Sequence, residues 1–285
     1  MSNEKKSIFA CIDGSSVSTA VCDYGAWMSQ KMGADLSILH SLENDQTGAV
    51  TDLSGALSLG VKKDLLDSIA SQEAEKSRLL MERSDEIVSG AKKHLLGRGI
   101  SNARGVQRKG HLTEALIDLE SEINLLIMGI RGAQHDRQEG GGVGTQLESV
   151  IRSMRQPILV VNKAFEEPKR TMLAYDGSDS CKKALDVVAR NKAFAHIPCD
   201  VVHVGSDGEA LLNEAVEKLK KAGIEAKGVQ ISGRMEEALP TYQTQNNIDV
   251  TLMGAFSHNR LRGLLLGSFT AKMLENTNRP LFLLR

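Results

Sequence analysis

The sequence predicts an α/β protein made of two tandem five-stranded parallel-sheet sandwiches, and three observations carry that prediction. First, the chain repeats itself: IDGSS at 12–16 returns as YDGSD at 175–179, and MGIRG at 128–132 returns as MGAFS at 253–257. Second, the repeats keep register. The offset of 163 that pairs Asp13 with Asp176 also pairs His40 with His203, and an offset of 123 pairs Gly144 with Gly267 and Pro157 with Pro280. Third, short apolar runs alternate with amphipathic stretches in both repeats, the pattern of a parallel sheet covered by helices on both faces. Each repeat is long enough to close its own core, and 285 residues suit two domains, here 1–165 and 166–285.

The elements follow in order. SIFACID at 7–13 is an apolar run ending in Asp-Gly-Ser, a strand followed by a turn, and Val17, Val21, Tyr24 and Met28 space a helix over 16–32. LSILH at 36–40 supplies a second strand and ARGVQRK at 103–109 a third. A helix over 112–122 precedes the buried-looking strand NLLIMGI at 124–130, and a helix over 144–155 is stopped by Pro157 before the strand PILVV at 157–161. The second half repeats the order: RTMLAYD, a helix over 180–195, CDVVHV, a helix over 209–222, EAKGVQI, a helix over 234–245, DVTLMGA, a helix from about 267, and PLFLLR. The apolar segments at 157–161 and 280–285 would each be an exposed sheet edge, so they are expected to pair or pack across a pseudo-twofold axis.

The halves differ between the second strand and the next helix. His40 and Gly129 are 89 residues apart, whereas His203 and Gly254 are 51 apart, so the first half carries about 38 extra residues. This helical insertion lies near 42–80, and 61–96 places apolar residues at helical spacing among many charges. A surface helix packed over the sheet is one reading; a lid, or a protein partner bound through 42–98, is the other.

Composition excludes several classes. A formal net charge of −1 and a pI near 6.7 give no reason to expect nucleic acid or a membrane as partner. No run approaches the ~18 apolar residues of a membrane span, and the opening MSNEKKSIFACIDGS carries no apolar signal segment. Cys11, Cys22, Cys181 and Cys199 are scattered, which indicates neither a zinc site nor a disulfide framework. A cytoplasmic chain is expected. The GxxxxGK[ST] phosphate loop is absent and no nucleophile–base pair has support from spacing, so the chain is expected to be no enzyme beyond, at most, a slow incidental ATPase.

Ligands of an open parallel sheet bind beyond the carboxyl ends of its strands, where strand order reverses. Asp13 and Asp176 end first strands there, and Gly129 and Gly254 end fourth strands. The loop that follows leads into a helix opening with Gly144-Thr145 or Gly267-Ser268. Glycine lets the backbone come close to an anion, the helix N-terminus offers N–H donors and positive dipole, and the hydroxyl adds another donor.

The spacings Gly129-x2-Gly132-x11-Gly144-Thr145 and Gly254-x2-Ser257-x9-Gly267-Ser268 resemble the signature G-x2-G-x9-G-(S/T) of the universal stress protein family. The resemblance covers essentially the whole chain, since an aspartate ends strand one, a histidine ends strand two and a proline opens strand five in both halves. It implies a Rossmann-like, adenine-nucleotide-binding fold and a cytoplasmic, regulatory stress-response protein that binds ATP, often with a divalent metal such as magnesium. Carried over by position, Asp13 or Asp176 and the backbone near Ser41 or Val204 would lie by the nucleoside. Gly129, Gly132, Gly144 and Thr145, or Gly254, Gly267 and Ser268, would surround the phosphates. The resemblance also implies an intramolecular pseudo-dimer, or a homodimer.

Both halves depart from the family pattern: Phe269 follows Ser268 and Gln146 follows Thr145, where ATP-binding members often have a small hydroxyl residue. Ser257 stands where the first half has Gly132, and a Cβ there would be costly if that backbone takes positive φ. On that argument the first half binds more tightly, despite a loop two residues longer. Against these functional readings stand structural ones. Asp13 and Asp176 also read as turn and N-cap residues, His40 and His203 as satisfied structural histidines, and His258, Arg260 and Arg262 as a solvated loop. A protein-interaction module with degenerate nucleotide sites is the alternative function.

Overall fold

The structure, a computed structural model, describes residues 6–42, 59–132, 143–254 and 268–284, and the side chains of all of these except 59–67 and 268. The first half runs β1 (Ser7–Cys11), α1 (Ser18–Met32), β2 (Leu36–Leu42), α2 (Leu59–Gly97), β3 (Arg104–Lys109), α3 (Leu112–Asp118), β4 (Ile123–Gly129), α4 (Thr145–Ser153) and β5 (Ile158–Val161). The second runs β6 (Thr171–Ala174), α5 (Asp179–Arg190), β7 (Cys199–Val204), α6 (Glu209–Lys221), β8 (Ala226–Ile231), α7 (Met235–Gln245), β9 (Val250–Gly254), α8 (Ser268–Asn276) and β10 (Leu281–Leu284). Two helices end earlier than apolar spacing predicts. α3 gives way to a 3-10 turn at Glu120–Glu122, and α5 to another at Lys192–Phe194, where the Asn191 side chain accepts from the Ala193 N–H at 2.9 Å.

The ten strands form one sheet of order β3-β2-β1-β4-β5-β10-β9-β6-β7-β8. Every pairing is parallel except the central one, where β10 runs antiparallel to β5 with Leu281 opposite Val160 and Leu283 opposite Ile158. The two apolar edge segments thus cover each other, as the edge argument expects, and the order reads outward symmetrically from their junction. Strand residues alternate between the two faces. Ile8 and Ala10 join one core layer, Phe9 and Cys11 the other, and each layer continues through both halves. The halves also meet through Trp27, Phe194 and Phe282, whose rings pack edge to face at 6.3 and 5.4 Å, and through Asn162 Nδ2, which donates to the Thr277 and Arg279 carbonyls.

The helical spacing read over 61–96 belongs to one long helix, α2, of 39 residues where the matching α6 has 13. At 1.5 Å per residue α2 is about 58 Å long, more than the sheet can cover. Its C-terminal part packs on the sheet: Ser84, Val88 and Leu95 are buried, and Val88 lies over Gly105, where a Cβ would come within 2.7 Å of Val88 Cγ1. The stretch 68–76 is exposed throughout and forms an arm.

In the second half, buried Asp200 on β7 accepts from Arg170 Nη2 at 3.0 and 3.1 Å and from the Tyr242 hydroxyl at 2.7 Å, tying α7 to the sheet. Burial first, then this bond, pushes the Tyr242 pKa up.

Candidate functional site

Parallel strands all end at one edge, and in the first half that edge carries a cleft of about 240 Å³. Its floor is the end of β1 and β4, with Cys11, Ile12, Met128 and Gly129. Asp13, Gly132, Gly144 and Thr145 line it as well. All five first-half residues proposed from sequence therefore line a single cavity, together with Ser41 at the end of β2.

Asp13 is held by its own turn. Its Oδ1 accepts from the Ser15 N–H at 2.9 Å and the Ser18 hydroxyl at 3.2 Å, while Ser18 Oγ accepts from the Asp13 and Gly14 N–H groups at 3.3 and 3.1 Å. Gly14 takes φ of 77°, the conformation that favours glycine, and so does its counterpart Gly177 at 74°. The turn role foreseen for Asp13 is present, and it orients the carboxylate so that Oδ2 faces the glycine loop. A Cβ built on Gly132 would lie 2.8 Å from that oxygen.

Gly132 is not among the positive-φ residues, so the positive-φ reasoning for its glycine is corrected: closeness to Asp13 excludes a side chain there. Gly144 is likewise extended at φ −62°, ψ 136°; its N–H donates to the Ile130 carbonyl at 3.1 Å, and an added Cβ would stand 3.3 Å from that oxygen. The loop 130–132 and the start of α4 thus lie close against each other at Gly144. The N–H groups of α4's first turn, which have no partner inside the helix, lie beside this backbone.

Another wall comes from α2; a lid was one reading of this region, but these lining residues were not foreseen. Leu80, Arg83 and Ile87 line the cleft, and Ile87 reaches the Asp13–Gly14 turn, since a Cβ on Gly14 would meet Ile87 Cδ1 at 3.0 Å. Next to Arg83, buried Ser84 bonds His40 Nδ1 at 2.8 Å and accepts from Gln107 Nε2 at 2.9 Å, which fixes the helix over β2 and β3. Burial lowers the His40 pKa, Asp13 opposes this, and the charge of Arg83 adds to the lowering, so His40 is neutral near pH 7. The heptad spacing of Leu80 and Ile87, with Ser84 between, was a readable sign of an inward face.

The second half is different. Asp176, Val204 and Gly254 do come together, but among the described residues their cavity is about 20 Å³, narrowed by Met235, Leu239, Met253 and Phe269. Asp176 Oδ1 accepts from the Ser178 N–H at 2.9 Å, and Ser178 in turn caps α5. His203 bonds the Tyr175 carbonyl at 2.9 Å. Ser268 opens α8, whereas Gly267, Ser257, His258, Arg260 and Arg262 lie outside the described residues. All four cysteines are buried, and burial pushes Cys11, Cys22 and Cys199 up to about 12 and Cys181 to about 11, which leaves them unreactive. Among the described residues no helix is long and apolar enough to cross a membrane.

Fold and cleft define a class: a doubled parallel α/β protein with a glycine-walled cavity at the carboxyl edge of its sheet. Comparison with known proteins places it within that class. The model of the universal stress protein family matches residues 5–162 and 205–285. The chain is 34% identical over 287 residues to universal stress protein Slr1230 of Synechocystis sp., covering 98% of this chain and 100% of that one. The chain therefore belongs to the universal stress protein family. Among solved structures it is similar in fold to a universal stress protein from Archaeoglobus fulgidus, with TM-score 0.70, 19% identity and coverage of 98% and 96%. A putative universal stress protein from Pseudomonas aeruginosa follows, with TM-score 0.60, 12% identity and coverage of 98% and 93%.

Proposed function

We propose that this protein binds an adenine nucleotide, ATP with magnesium, in the first-half cleft and acts as a regulatory stress-response protein rather than as a catalyst. The observation that supports this best is the convergence of Asp13, Gly129, Gly132, Gly144 and Thr145 on one cavity about tenfold larger than its counterpart. The residues suit the ligand. Gly132 and Gly144 give a backbone surface free of Cβ atoms, and the N-terminus of α4 with the Thr145 hydroxyl offers donors to phosphate. Asp13 and the Ser41 backbone, across β1 and β2, suit the polar groups of a nucleoside. Magnesium, when bound, would offset phosphate charge.

In this reading the units 1–165 and 166–285 are two copies of the family domain, and only the first holds nucleotide. Isothermal titration of the full chain with ATP and magnesium tests it. Gly144→Val should abolish binding, because its side chain fills the phosphate side, while Gly267→Val should leave it unchanged. Unchanged affinity in Gly144→Val would refute the assignment.

The exposed arm of α2 supports a second role, docking of a protein partner through the 42–98 region. Ile69 of that arm, and Leu79 and Met81 just beyond it, are solvent-exposed.

A further inference from the structure

The helix α2 is three times the length of its second-half counterpart α6, and it closes one side of the cleft. Across the sheet the order β3-β2-β1-β4-β5 puts the glycine loop and α4 at the β4 side, and α2 packs over β2 and β3 on the opposite side. A nucleotide with its phosphates at Gly132 and Gly144 must extend its nucleoside toward β2, beneath α2. There Leu80 and Ile87 present two aliphatic groups seven residues apart, one two-turn step along a single helix face, and Arg83 stands between them.

Arg83 is exposed and has no ion pair among the described residues. Its backbone is fixed all the same, because its neighbour Ser84 is fully buried and bonded to both His40 and Gln107. Ile87, one turn on, is held against the Gly14 turn. A planar guanidinium flanked by aliphatic carbons on a fixed helix is suited to lie against the face of an aromatic base. The matching face of the second half offers no such group: over Gly177 lies Leu211 of α6, 2.9 Å from where a Cβ would be.

We infer that Leu80, Arg83 and Ile87 form a base-side wall of the nucleotide cleft, with Arg83 the specificity-determining residue that stacks on the base. This rests on the nucleotide reading above and adds to it that the long helix α2 helps to set what the first half binds. It also connects the bound base to the exposed arm through one rigid helix.

The test is competition against a fluorescent ATP analogue on the full chain, using ATP, adenosine and inorganic triphosphate, with wild type, Arg83→Ala and Arg83→Lys. Alanine at 83 leaves the helix favoured and the melting temperature unchanged, since the side chain is exposed. A stacking role predicts that Arg83→Ala weakens ATP and adenosine alike by roughly tenfold, leaves triphosphate unchanged, and is not rescued by Arg83→Lys, which restores charge without the plane. Loss for ATP and triphosphate with adenosine unaffected would move Arg83 to the phosphates and overturn the inference. So would unchanged affinity for all three ligands, or adenosine that fails to compete with wild type. A wild-type chain that binds no ATP overturns both this inference and the nucleotide reading, whereas tight ATP binding indifferent to Arg83 overturns this one alone.

Discussion

Gly132→Ala is the substitution whose consequence can be worked out most fully. The new Cβ would sit 2.8 Å from Asp13 Oδ2, well inside ordinary van der Waals contact, so loop or carboxylate must give by about half an ångström. The carboxylate cannot simply swing away, because Oδ1 is engaged by the Ser15 N–H at 2.9 Å and the Ser18 hydroxyl at 3.2 Å. Hydrogen bonds to a charged group contribute about 1.5–3 kcal/mol each, and partial loss of these two amounts to about 1–2 kcal/mol. If the nucleotide binds only with the carboxylate in its original place, this energy is taken from binding and corresponds to roughly 5- to 30-fold in ATP affinity. The assay is a double-mutant cycle by isothermal titration on wild type, Gly132→Ala, Asp13→Ala and the double variant, with urea unfolding of each. If the clash with Asp13 is the cause, Gly132→Ala should cost little once Asp13 is alanine, giving a coupling of about 1 kcal/mol or more. An equal cost in both backgrounds would refute the reasoning and return the glycine requirement to the backbone.

Three further outcomes follow from the packing. Gly105→Ala drives a Cβ to 2.7 Å from Val88 Cγ1, a β-branched side chain with little freedom, and should lower stability in urea unfolding by about 1–3 kcal/mol. Asp200→Ala leaves Arg170 and Tyr242 without their buried acceptor and should cost about 3–5 kcal/mol in the same assay, against about 1 kcal/mol for Tyr242→Phe. For His40, the folded pKa lies below the ordinary 6.5, so as pH falls through 6.5 the unfolded chain takes up a proton that the folded chain does not. Wild-type stability should therefore fall from pH 7 to pH 5 more steeply than that of His40→Gln, by at most about 1.4 kcal/mol per pH unit, and equal slopes would contradict this.

Much of this architecture was legible because parallel sheets leave a strong trace. Buried strands such as NLLIMGI read as unbroken apolar runs, and Pro157 and Pro280 marked the starts of the two strands that meet at the centre. The apolar character of those segments predicted their pairing, since an exposed edge is costly. The position of Asp13, Gly129 and Gly144 at strand ends was enough to place them on one edge. The reason for Gly132 was not legible: a sequence records that a glycine is present, while the approach of Asp13 Oδ2 from a turn more than a hundred residues away is a tertiary fact. The role of α2 escaped for a similar reason. Charges surround its apolar positions along the exposed stretch 68–76, and only packing over Gly105 and the Gly14 turn shows which face of the later part points into the cleft. Continuity of both core layers across the halves, seen in the Trp27, Phe194 and Phe282 cluster, likewise has no sequence signature. It makes the intact chain the proper object of every binding measurement, because separating the halves would expose β5 and β10.

Whether the first-half cleft holds adenine nucleotide is read by mass spectrometry of the small molecules released when the purified chain, equilibrated with ATP and magnesium and then desalted, is denatured. Close to one adenine nucleotide per chain is expected for wild type and none for Gly144→Val. A nucleotide-free wild type, or equal nucleotide in both, would contradict the assignment.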